Sequence, residues 1–243
     1  MRSLVFAKRC LKEILRDPLN LAFGLGFPVA ILLLLSAIQA NVPVELFAIE
    51  SLAPGAAVFG LSFITLFSAT LIAKDRESAF LQRLYATPMK ATDFIVGYTL
   101  PLLPIAVAQA GICYLVAFAL GLPISVNILY AVVMVLPVAV LYIAVGLLCG
   151  SVFNVKQVGG VCGALFTNLS AWLSGVWFDL ALLGGGFEKV ANVLPFAHAV
   201  AAQRAAVAGA MVESLLHILP VLGYAILLTV VAVLLFLRQM RKG

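Results

Sequence analysis

The chain has 243 residues, of which 64% are hydrophobic and only 10% charged, and its formal net charge is +5. A soluble domain carries about 25% charged residues, and a globule this apolar would expose one large hydrophobic patch. Water is therefore excluded as the solvent for much of the chain, and lipid takes its place. The basic residues lie between apolar runs, which reads as membrane topology rather than as a nucleic-acid surface.

The first predicted element is a helix over Arg2–Arg16, forming its own segment, residues 1–17, ahead of a single membrane domain over 18–243. Leu4, Leu11, Ile14 and Leu15 gather on one side with Val5 and Cys10 flanking, and Lys8, Arg9, Lys12 and Arg16 occupy the rest. Such an amphipathic helix suits the lipid headgroup boundary, where cations meet anionic lipid. It serves either as a topology anchor or as a mechanical part. Asp17-Pro18 then reads as a cap followed by proline in the first turn of the next helix.

Six apolar runs follow, at about Leu19–Gln39, Ala53–Ala73, Phe94–Leu120, Ile128–Cys149, Val161–Phe178 and Ile218–Leu237. A crossing of about 30 Å of hydrocarbon needs about 20 helical residues, so the expected fold class is an all-α membrane protein with six transmembrane helices. Pro28, Pro101, Pro104 and Pro137 fall inside these runs, where neighbouring helices can satisfy the freed backbone groups. The first run is too long for a secretory core, and Ile38 stands where cleavage near Ala40 would want a small residue, so it reads as a retained helix. Cys10, Cys113, Cys149 and Cys162 share no metal-ligand spacing and read as small buried hydrophobes.

Thirteen of the fifteen lysines and arginines fall in the N-terminal segment, the 74–93 and 150–160 loops and the tail; Lys189 and Arg204 are the other two. The positive-inside rule then predicts a multi-pass protein of the cell's inner (plasma) membrane with both termini in the cytoplasm. No Asp, Glu, Lys or Arg lies inside a predicted span. Ion-coupled carriers need such groups as relays, so the energy for any transport is expected from elsewhere.

Between the spans, the cytoplasmic loop 74–93 carries Phe80, Leu81, Leu84 and Tyr85 at the spacing of one helical face, with Asp75, Arg76, Gln82 and Arg83 around the other. Thr87-Pro88 stops this short helix. An apolar edge amid mixed charge suits docking into a groove on a soluble partner, or else lying against lipid. The external stretch 179–217 opens with Gly184-Gly185-Gly186, read as a flexible joint, and its Ala-rich part could form short helices dipping into the outer leaflet.

Within the fifth run Gly159, Gly163, Thr167, Ser170 and Ser174 form one small-residue stripe with Asn168 beside it. Close helix packing and the lining of a translocation path both explain it. Ser62, Thr65 and Ser68 repeat the pattern weakly in the second run, and Gln109 is the amide deep in the third. Trp172 and Trp177 fit interfacial anchors. No phosphate-binding G-x-x-x-x-G-K-[ST], H-E-x-x-H or G-x-S-x-G sequence is present, so an enzyme reading is poor.

The stretch Asp75-Arg76-Glu77, Leu81, Arg83-Leu84 and Ala86-Thr87-Pro88 resembles the coupling loop of type 2 permeases of ATP-binding-cassette transporters. Asn192, Leu194-Pro195 and Arg204 are similar to that family's segment ahead of its last helix, and the layout matches over essentially the whole chain. Ala79-Phe80 depart from the usual Gly-Thr, Gln82 from a frequent Glu and His198 from a common Tyr. The resemblance implies an exporter of two permease chains, alike or different, and two cytoplasmic ATPase subunits, with ATP and Mg on the partner and no cofactor on this chain. It implies ATPase docking through Asp75, Arg76, Glu77, Phe80, Leu81, Leu84, Tyr85, Thr87 and Pro88. It also turns the second and fifth spans toward the pathway, making Ser62, Thr65, Gln109, Thr167, Asn168, Ser170 and Ser174 its candidate lining. An ion-driven carrier and a scaffold subunit are the rival readings.

Overall fold

In the computed structural model, which describes residues 2–43, 46–78, 80–85, 87 and 89–240, every regular element is a helix. Pro88, Ala79, Ala86, Arg241, Lys242 and the side chains of Gln82 and Tyr85 lie outside the described residues. The first three helices are α1 (Arg2–Leu15), α2 (Pro18–Gln39) and α3 (Ile49–Glu77). The Asp17 side chain caps α2, accepting from the Asn20 backbone N–H at 3.3 Å with Pro18 in the first turn.

Helix α3 is the centre of the molecule. It packs against α1 and α2 and against three later helices, α6 (Leu102–Ala119), α7 (Val126–Val152) and α11 (Pro195–Ala208). Its small residues, among them Ala53, Ala57, Ser62, Ala69 and Ala73, let those backbones come close. Gly146 of α7 meets Thr65 and Ser68, and Gly150 meets Ala69; a side chain at either glycine would collide with α3. Thr65 Oγ1 donates to the Tyr142 carbonyl at 2.7 Å and Ser68 Oγ to Ile143 at 3.3 Å, stitching the same seam.

The third predicted run is two helices joined without leaving helical backbone. Helix α5 (Ala91–Thr99) leads into α6 through Leu100 and Pro101, both of which keep right-handed helical backbone angles. Pro101 and Pro104 have no N–H to donate, so the ladder weakens there without ending.

Among the described residues five helices are long and apolar enough to cross a membrane, against the six expected: Pro18–Gln39, Ile49–Glu77, Ala91–Ala119, Val126–Val152 and Met211–Arg238, the last within α12 (Met211–Met240). The predicted span over Val161–Phe178 lies in a composite of helix types. It runs through α8 (Val155–Val158), a π-helical stretch Gly159–Phe166 and α9 (Thr167–Ser174), ending at Gly175 with φ +68°. Three glycines favour the wide turn, because they carry no side chain to crowd it. Thr167 Oγ1 donates to the Cys162 carbonyl five residues back at 2.9 Å.

Two segments outside the long helices complete the fold. The stretch after Asp179 forms a 3₁₀ turn, α10 (Gly185–Val193) and α11. In helix α11 Ala199, Val200, Ala202 and Ala206 are buried against α3, α7 and α12, since alanine admits close backbones. Helix α1 docks along α5 through Phe6, Ala7, Cys10 and Ile14, leaving Leu4, Val5 and Leu15 exposed, so the predicted leucine side is split.

Candidate functional site

Three consecutive residues at the end of α3 reach three different neighbours. Successive helical side chains point about 100° apart, so one turn can serve as a hub. Asp75, 1% exposed, receives both terminal nitrogens of Arg9 at 2.5 Å each and the Tyr98 hydroxyl at 2.8 Å, tying α3 to α1 and α5. Arg76 donates to the Ser151 and Phe153 carbonyls, taking up the free C-terminal carbonyls of α7. Glu77 Oε1 accepts from the Val155 N–H at 2.8 Å, which serves the N-terminus of α8.

The charge pattern extends outward from this hub. Arg9 also pairs with Glu13 at 2.6 Å and lies 4.4 Å over the Phe80 ring, a cation–π contact. Burial on its own lowers the pKa of Arg9, but the hydrogen bonds and charge of Asp75 outweigh it and raise the value above that of free arginine. Burial pushes the adjacent Cys10 thiol up to about 12, so it stays protonated under α1.

Directly after the hub comes α4 (Phe80–Tyr85). Its described apolar side chains turn toward the core. Leu81 is buried and Phe80 and Leu84 are half-buried against the core, while Arg83 and Thr87 are exposed. Thr87 Oγ1 donates to the Leu84 carbonyl at 2.6 Å and closes the helix. The leucines bind α4 to its own chain because that chain offers the nearest apolar surface.

Of the residues expected along a pathway, Ser62, Thr65, Gln109, Thr167, Ser170 and Ser174 are buried within the chain. Ser62, Ser170 and Ser174 donate to carbonyls three residues back on their own helices. Gln109 lies against Gly60 of α3 with its Nε2 toward Cys113 Sγ at 3.3 Å. Asn168 alone of this set is exposed, on the same outer face as Leu165, Leu169 and Trp172. Trp177 stacks edge-on against Phe59 at 5.1 Å inside the fold, whereas Trp172 is exposed.

A family model described as "ABC-2 type transporter" matches residues 3–208. The chain belongs to this family. The ABC-2 match covers the hub, α4 and the composite fifth segment together, and the family is one of transport permeases whose membrane domain is not itself catalytic. With its long apolar helices, this ABC-2 chain is a multi-pass membrane protein. It is also 29% identical over 161 residues to "ABC transporter G family member 20" of Dictyostelium discoideum, across 64% of this chain and 22% of that protein. The chain thus spans about a fifth of that relative's length.

Sequence reasoning missed Arg9 and Tyr98 as partners of Asp75, because they stand 66 and 23 residues away with no local spacing to connect them. Gly146 and Gly150 were findable: a G-x-x-x-G inside an apolar run marks a close helix crossing.

Proposed function

We propose that this ABC-2 chain is the transmembrane permease of an ATP-driven exporter, working as a dimer with separate cytoplasmic ATPase subunits. The observation that carries the reading is the Asp75-Arg76-Glu77 hub with α4 placed immediately after it. In this proposal the hub end is cytoplasmic, in keeping with the basic residues clustered there, and the membrane is the cell's inner (plasma) membrane.

The hub couples whatever moves α4 to α1, α5, α7 and α8 at once. The ATPase contact is assigned to Arg83, Thr87 and the outer edge of Phe80, while buried Leu81 and Leu84 hold α4 rigid. Closure of the ATPases around ATP and Mg would then push α4 and α1 as one body. The pathway is assigned to the exposed face of the composite fifth segment around Asn168, which also meets the second permease. Thr167, Ser170, Ser174, Ser62, Thr65 and Gln109 act from behind that face by fixing its packing.

The test is a mild-detergent purification of tagged chain from its host, assayed for a co-purifying subunit and for vanadate-sensitive ATP hydrolysis. An ATPase at about equal stoichiometry, weakened by Arg83→Glu while the permease stays folded, is the expected result. A clean preparation without one, repeated in lipid nanodiscs, overturns the reading.

A further inference from the structure

At the end of the molecule opposite the hub, Arg204 of α11 projects between the first turn of α3 and the end of α9. Its Nε donates to the Ser51 carbonyl at 3.3 Å and its Nη2 to the Gly175 carbonyl at 3.0 Å. These bonds satisfy donors but bring no negative charge. Among the described residues no carboxylate forms an ion pair with it. Nη1 is bonded to nothing described there, although a guanidinium carries five N–H donors in a fork suited to an oxyanion.

Arg204 lines two cavities, one of about 270 Å³ and one of about 220 Å³. The larger is walled by Phe47, Leu52, Val176, Trp177 and Phe178, with Ser51 and Asp179 as its other polar lining and Leu46 at its rim. Asp179 is exposed, and its carboxylate accepts from the Ala181 N–H at 3.0 Å. The smaller cavity adds Glu188, Asn192, His198 and His217; the two imidazoles face each other at 3.1 Å through their Nδ1 atoms. Asp179 acts on Arg204 only through space and no described carboxylate is in ion-pair contact with it, so a largely desolvated cation beside an aromatic wall keeps a side open to an oxyanion.

We infer that the cavity between Arg204 and Trp177 binds an amphiphilic oxyanion, a phosphate or carboxylate head on an apolar body, at the face that is external in the orientation proposed above. The anionic head takes the free edge of Arg204, and the apolar body lies against Phe47, Val176 and Trp177.

The chain has two tryptophans, so Trp172→Phe leaves Trp177 as the sole fluorescent reporter. That protein, full-length in phosphatidylcholine nanodiscs, is titrated with dodecyl phosphate, with dodecyl maltoside as the neutral-headed control, and with inorganic phosphate alone. A saturable change with dodecyl phosphate and none with the maltoside is expected. Arg204→Gln should weaken it by about tenfold or more, the range of charge-assisted hydrogen bonds. Because Arg204 also ties α3 to α9, the exposed rim variant Leu46→Asp supplies an independent arm and should weaken the phosphate response in a fold left intact.

A response to dodecyl phosphate that inorganic phosphate does not match supports the inference; a matching response to inorganic phosphate shows that the apolar wall adds nothing and overturns it. No saturable response, equal responses to both dodecyl heads, or undiminished affinity in both variants overturns the inference. No ATPase is needed, so this outcome is independent of the exporter test.

Discussion

Helices α2 and α3 would pass for the same object by composition, yet they live in different surroundings. Of its most apolar 18-residue stretch, α3 has 89% buried within the protein and α2 only 17%. The difference lies in side-chain size. Helix α2 carries Phe23, Phe27, Leu33 and Leu34 toward the outside, whereas α3 is punctuated by alanine, glycine and small hydroxyls. In lipid, apolarity does not draw a helix inward, because the hydrocarbon is as apolar as the core; close backbone approach and hydrogen bonds do.

The comparison breaks most sharply at Asp75. Asp75→Ala leaves Arg9 and Tyr98 without their shared acceptor, and removing one member of a buried ion pair costs about 3 kcal/mol. Thermal unfolding in detergent should move down accordingly. The same variant should free α1, so that Cys10, held near 12 by burial, falls toward its ordinary value of about 8.5 and reacts faster with maleimide at pH 8. Unchanged labelling would show that α1 does not depend on the hub.

Next in size is Gly146→Leu, which forces a side chain into Thr65 and Ser68 of α3; overpacking of this kind costs about 1–3 kcal/mol. The loss should appear in thermal stability of the purified permease. The smallest effect belongs to α2: Leu34, 60% exposed, should accept Ala with a change within about 0.5 kcal/mol. A large loss there would mean that a partner chain covers this face.

The positions of the apolar runs were legible because lipid demands about 20 satisfied backbone groups in a row. So were the Asp17-Pro18 cap, the prolines inside the third run and the charged cluster at Asp75-Arg76-Glu77. Burial was not, because a hydroxyl such as Thr65 looks the same in sequence whether it lines a path or bonds to Tyr142 across a helix seam. The composite fifth segment was hidden for a related reason. Glycines announce freedom of the backbone, but the choice of a π turn is made by neighbours such as Leu66, which packs beside Gly163. The inward turn of Leu81 was equally unreadable, since its apolar spacing fits its own core as well as a partner's groove.

The hub also sets how these positions can drift over evolutionary time. Asp75 reads two side chains, Arg9 and Tyr98, so substitutions at position 75 should travel with compensating changes at 9 and 98. Arg76 and Glu77 read main-chain atoms, which every neighbour supplies whatever its side chain. Among relatives, those two positions should therefore hold their own identity while the residues they touch, from Ser151 to Val155, vary freely.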